Sequence, residues 1–195
     1  MRTDAFTSGW TKQFSYHPFL YMVLFSLKSS RQLRLNVWPQ LLPLCYVPSQ
    51  ILISSRVWLH VREEGYSTDL IAAESVRLIE QHDFSKPLFL YVAFNAPHSP
   101  FQAPQSYLDM HQGIEDPRKR AYAAMVSCMD DAIGQIVAAI DRRGVAHNTL
   151  IFFCSDNGGM DIVSDNRPQR GQKGLLYEGG IRIPAYSKLV QSPED

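Results

Sequence analysis

Residues Thr149–Gly159 read TLIFFCSDNGG, an apolar, β-branched and aromatic run that stops at a polar turn ending in two glycines. Leu88–Phe94 (LFLYVAF) repeats the apolar part after the Lys86-Pro87 break. Unbroken runs of this kind are what a parallel strand covered on both faces requires. Asn95–Pro104 (NAPHSPFQAP) follows the first run, and its prolines cannot continue a helix or a ladder, so it predicts a loop along the surface or over a cleft. Between the two runs Asp116-Pro117 opens a helix with a carboxylate cap and proline at the first helical position. Tyr122, Met125, Val126, Met129, Ile133, Ile136, Val137 and Ile140 recur at three and four spacings, and Gly144 closes the element after Arg142 and Arg143. Strand, loop, helix, strand, loop in this order predicts an α/β fold with a mostly parallel sheet and flanking helices.

Upstream, apolar residues at Leu70, Ala73, Val76, Leu78 and Ile79 predict an amphipathic helix over Leu70–His82, with Ser67, Thr68 and Asp69 as cap candidates. Downstream, Gly179-Gly180 followed by Ile181-Arg182-Ile183-Pro184 predicts a tight turn into an edge strand, because Pro184 cannot donate to a central ladder. Residues 1–60 hold neither helical nor alternating periodicity for more than a few positions. The chain therefore divides into an irregular segment over 1–60 and a structured domain over 61–195. The longest apolar run in the first part, Pro18–Leu27, has ten residues, about half of what a membrane-spanning helix needs, and no transmembrane segment is expected. Behind Lys12 it could pass for the apolar part of a secretory signal, but it starts late and lacks a small-x-small cleavage site, so a buried strand or an ill-formed segment is expected instead.

With 195 residues, 45% hydrophobic, the chain has material for one core hiding roughly 70% of its unfolded surface. Nineteen Lys plus Arg balance nineteen Asp plus Glu, which leaves no global field to collect nucleic acid or anionic membrane. Cys45, Cys128 and Cys154 are too few and scattered for a disulfide framework or a closed zinc site.

In open α/β sheets ligands collect beyond the carboxyl ends of strands, and the polar clusters sit there. His98 follows the first strand by four residues, and Asp156 and Asn157 follow the second by two and three. Asp156 and Asn157 offer a carboxylate and an amide oxygen, hard donors suited to Ca2+ or Mg2+, or else close a simple Asx turn. His98 is a candidate general acid or anion ligand, with a packed or solvated loop residue as the alternative. Arg167, Arg170 and Lys173 lie in the glycine-punctuated stretch Asn166–Gly180, which either meets an anionic group or is solvated. Asp130-Asp131 points about 100° apart on a helix and reads as structural or solvated, not as a metal pair.

Taken together, five pieces in order resemble the sulfatase family and its arylsulfatase B-like branch: Glu63–Leu70 (EEGYSTDL), Pro87–Pro100 (PLFLYVAFNAPHSP), Arg120–Gly134 (RAYAAMVSCMDDAIG), Asn148–Gly159 (NTLIFFCSDNGG) and Arg170–Pro184 (RGQKGLLYEGGIRIP). The resemblance implies an alkaline-phosphatase-like fold, here incomplete, with 61–195 as part of a catalytic domain. It also implies cleavage of sulfate esters of sugars or aryl groups with bound calcium or magnesium, and a lysosomal, secreted or periplasmic setting. By position, Asp156 and Asn157 match metal ligands of the family. His98 matches a histidine that contacts the sulfate and protonates the leaving oxygen, and Lys173 matches a lysine on the same group.

The departures matter equally. The family's nucleophile is a formylglycine made within C-x-P-S-R, and no such motif occurs in these residues. Cys45-Tyr46-Val47-Pro48-Ser49-Gln50 has one residue too many before the proline and glutamine where arginine belongs. The family's further metal-binding aspartates and its middle-region lysine and histidine have no counterpart either. The resulting expectation is a truncated or otherwise altered sulfatase chain, inactive alone, with its cation weakly held. A non-catalytic pseudoenzyme that binds sulfated glycans is the alternative. A relative acting on phosphate or phosphonate esters is a third, which the histidine and lysine loops favour less.

Overall fold

The computed structural model describes residues 20–26 and 64–189. Its elements are β1 (Leu20–Ser26), α1 (Ser67–Gln81), β2 (Phe89–Phe94), α2 (Gln105–Met110), α3 (Pro117–Arg142), a 3-10 turn at Ala146–Asn148, β3 (Thr149–Ser155), the one-turn α4 (Glu178–Ile181) and β4 (Ala185–Leu189). Helix α3 matches its sequence signals closely. Asp116 accepts from the N–H groups of Arg118 (2.8 Å) and Lys119 (3.4 Å), two donors that no helical carbonyl can reach. At the other end Gly144 adopts φ +66°, its N–H donates to Asp141 O, and the Val145 N–H donates to Ile140 O, the paired bonds of a Schellman cap. The buried stripe of α3 from Met125 to Ile140 packs with Ala72 and Ile79 of α1, Val92 and Phe94 of β2, and Ile151 and Phe153 of β3. By length and composition α3 would cross a membrane, yet 61% of its apolar window is buried inside the fold, as befits a core helix.

Helix α1 starts one turn earlier than its apolar spacing predicts. Ser67, Thr68 and Asp69 form its first turn instead of capping it; the cap position is Tyr66, without a side-chain bond. Thr68 belongs to the buried face, with Ala72, Ser75 and Ile79. Its C-terminus is closed from outside: Arg143 donates to the carbonyls of Glu80 and His82 (2.9 Å to the latter), and Arg142 grips the Glu80 carboxylate at 2.8 Å. A cation at a helix C-terminus offsets the partial negative charge of its unpaired carbonyls.

The sheet corrects the expected pairing. Its order is β2-β1-β3-β4, and all three ladders are antiparallel. Strands β2 and β3 run in one direction, as the α3 crossover demands, but β1 lies between them, Leu20 pairing with Phe94 on one side and with Ser155 on the other. The apolar run at Pro18–Leu27 thus supplies the strand that separates the presumed neighbours. Nor are both faces covered among the described residues. Along β3 burial alternates, with Thr149, Ile151, Phe153 and Ser155 inward, while Phe152 on the other face stays exposed, as do Tyr91 and Phe89 on the same face of β2 across β1. Aromatic outward residues mimic, in sequence, a strand buried on both sides. The edge strand also comes later than expected: Glu178–Ile181 is helical, and β4 begins after Pro184, whose carbonyl accepts from the Ser155 N–H. Proline keeps an acceptor although it lacks a donor. Cys45, its C-Y-V-P-S-Q context and most of segment 1–60 lie outside the described residues.

Candidate functional site

Because β2 and β3 run the same way, their carboxyl ends reach the same rim, one intervening strand apart, or about 10 Å. The loop after β2 turns at once, the His98 N–H donating to Asn95 O at 2.9 Å, and leaves His98 half-buried at the rim. The His98 Nδ1 lies 2.8 Å from Ser99 O. A carbonyl can only accept, so this contact calls for the hydrogen on Nδ1. Beside the ring, Pro97, Phe101, Tyr122, Met160 and Val163 line a narrow apolar niche.

After β3, the Ser155 hydroxyl donates to Asn157 O at 2.8 Å, a bond made by the serine and not by the Asp or Asn side chain that an Asx turn would use. That bond does not exhaust the loop's role. The Asp156 carboxylate is pushed above its ordinary pKa, first by desolvation from the surrounding loops. Opposing that are the N–H groups of residues 156 and 157 and the charges of Lys173 and His98. The Asn157 Oδ1 is buried. Asp156 and Asn157 are hard oxygen donors of the type calcium or magnesium takes, but two donors are a fragment of a shell of six or more. Among the described residues no group of three or more His, Cys, Asp or Glu comes together to complete one.

Lys173 arrives on a loop laid directly over this turn. Its N–H donates to Gly159 O at 2.9 Å, and Gly171 and Gly174 on either side hold φ near +84° and +88°, a region that favours glycine. The loops approach so closely that a Cβ on Gly158 would lie 1.8 Å from Gly179 O, and one on Gly179 would lie 2.0 Å from Gly171 O. The other cations of the stretch are turned to local partners: Arg167 pairs with Asp165, and Arg170 sits 4.0 Å over the Tyr177 ring. Asp130 and Asp131 stand apart on α3, Asp131 accepting from Tyr107 at 2.8 Å. Asn166, which the sequence marks only as the start of a glycine-punctuated stretch, proves to be buried between the loops.

His98, the Asp156-Asn157 pair and Lys173 thus lie on loops beyond a helix-flanked sheet, the arrangement of a mixed helix-and-sheet protein. The Sulfatase family model matches residues 6–187, and the chain belongs to that family. Its fold is the mixed helix-and-sheet, alkaline-phosphatase-like fold of sulfatase structures. Over 129 residues it is 43% identical to Arylsulfatase J of Mus musculus, covering 66% of this chain and 21% of that relative. It is 33% identical over 127 residues to N-acetylgalactosamine-6-sulfatase of Homo sapiens, covering 63% and 23%. Among solved structures, Ps i-CgsB in complex with k-i-k-neocarrahexaose superposes with a TM-score of 0.63 at 35% identity, covering 69% of this chain and 30% of that one. The chain thus spans between 21% and 30% of the length of these three.

Proposed function

We propose that this chain carries the leaving-group half of a sulfate-ester site, of the arylsulfatase kind, acting on sulfated sugars or aryl esters. The observation that supports it most is placement: His98 and Asp156 follow strands that run the same way, and the Lys173 N–H donates to Gly159 O, three residues after Asp156. His98, held by Ser99 O through Nδ1, would act from Nε2 and, when doubly protonated, give that proton to the departing oxygen. Lys173 offsets charge on the sulfuryl oxygens. Asp156 and Asn157 would lend two oxygens to a calcium or magnesium ion, whose charge would further offset that of the ester. Without C-x-P-S-R in the sequence, these groups orient an ester and do not form a covalent sulfate intermediate. That lack also favours a second reading, a non-catalytic binder of sulfated glycans.

The test is 4-nitrophenyl sulfate with the 195-residue chain and calcium. The expected outcome is no turnover with saturable binding, weakened about tenfold by Lys173→Ala. Turnover abolished by His98→Ala would overturn the orient-only reading. Absence of binding at millimolar ester would remove the site itself.

A further inference from the structure

Asn166 lies 9% exposed between the two loops that carry the proposed ligands. Its carboxamide makes a reciprocal pair with the backbone of one residue: the Gly159 N–H donates to Oδ1 at 3.0 Å, and Nδ2 donates to Gly159 O at 2.9 Å. The same Nδ2 reaches Gly171 O at 3.3 Å and the Asp161 carboxylate at 3.5 Å. Gly159 O in turn accepts from the Lys173 N–H. One buried amide therefore joins the loop three residues after Asp156 to the backbone on which Lys173 is mounted. A carboxamide is the side chain suited to this place, because it needs an acceptor and a donor side by side. Glycines at 158, 171 and 179 permit the close approach, but a glycine contributes no side-chain bond to fix the spacing.

We infer that Asn166 is a positioning residue of the anion site, setting the separation of Asp156 and Asn157 from Lys173 without touching the ester. The inference rests on the reading of the site proposed above. It differs from a purely local structural role in one respect: loosening Asn166 must move Lys173, seven residues away in sequence.

The experiment uses the full 195-residue chain, 15N-labelled, with amide exchange and titration by 4-methylumbelliferyl sulfate; 4-methylumbelliferone, lacking the sulfate, is the control. In Asn166→Ala the Gly159 and Lys173 amides should exchange about tenfold faster or more, with Ile151 and Phe153 of β3 unchanged. Affinity for the sulfate ester should fall about tenfold, with no change for the control. Asn166→Asp keeps the acceptor for the Gly159 N–H but turns oxygen toward Gly159 O, Gly171 O and Asp161, so Lys173 alone should lose protection. The second variant also serves if the first does not fold. Unchanged exchange at Lys173 in both variants would overturn the inference, as would ester affinity within twofold of wild type. Failure of the wild type to bind the ester would instead strike the underlying site reading, and the positioning role with it.

Discussion

The helix-covered side of the sheet and the rim beyond β3 are built on different principles. Around α3 the contacts are side chain to side chain: Ile79 and Ile136 are fully shielded, and Phe94 and Phe153 nearly so. Such a region tolerates swaps of similar volume, since it is specified by space filling. At the rim the contacts are backbone to backbone, with the Gly158 N–H on Gly180 O at 2.9 Å and the Gly179 N–H on Arg170 O at 2.8 Å. There is no volume to redistribute where a missing Cβ is what lets the chains meet. The core gives the chain its stability, and the rim gives three loops their register.

That contrast breaks or holds first on Phe94→Ala. Emptying a site 1% exposed at the centre of the core should cost about 3–5 kcal/mol, read as a lower urea midpoint for the whole domain. Gly158→Ala should cost less in total, about 1–3 kcal/mol, but at a different place. A methyl placed 1.8 Å from Gly179 O must part the loops, so the Gly159 and Lys173 amides lose protection while those of β3 keep it. If both variants lowered protection uniformly, core and rim would be one cooperative unit and the distinction would fail.

Legibility in the sequence follows the same divide. Helix α3 is readable end to end, because Asp116, Pro117 and Gly144 act within a turn of where they stand and its apolar stripe needs no knowledge of the partner. Strands β2 and β3 are found to within a residue, yet their pairing is not, since nothing in LFLYVAF or TLIFFC names the strand that will lie alongside. Short α2, with no buried residue, leaves no periodic mark and goes unpredicted. At the rim, His98, Asp156, Asn157 and Lys173 are chosen through resemblance to the sulfatases. Residue type alone leaves each of them a bland loop reading. Asn166 is missed altogether: a buried amide and an exposed turn asparagine look alike until the opposite loop is in view.

Two aspartates, one within α3 and one capping it, sharpen the core side, with opposite signs in pH. Burial pushes Asp130 up to about 6, with the neighbouring Asp131 charge adding to it. A raised carboxyl favours the folded state at low pH and loses that contribution as pH rises from about 4 through 6. Asp130→Asn should therefore raise stability at pH 7.5, by about 1 kcal/mol once solvent screening of a half-exposed group is allowed for, and flatten the profile between pH 4 and 6.

Asp116 works the other way and more weakly. The Arg118 N–H, chief among its partners, holds its carboxyl below the usual range, with the Lys119 N–H and the Arg118 charge assisting. A lowered carboxyl contributes stability that is present above its unfolded pKa, near 4, and is lost as pH falls through the folded value. Asp116→Asn preserves an oxygen for the Arg118 N–H but removes the negative charge from the positive end of α3. The variant should sit slightly below wild type in urea midpoint at pH 7, and the gap should close as pH falls from about 4 through the lowered folded value, once both side chains are neutral. A gap that stayed constant from pH 7 to 2.5 would mean that hydrogen-bond geometry, not charge, caps the helix. Through all of this the Gly159 and Lys173 amides should keep their exchange rates relative to the core, because the cap lies on α3 and the rim is tied by Asn166 to itself.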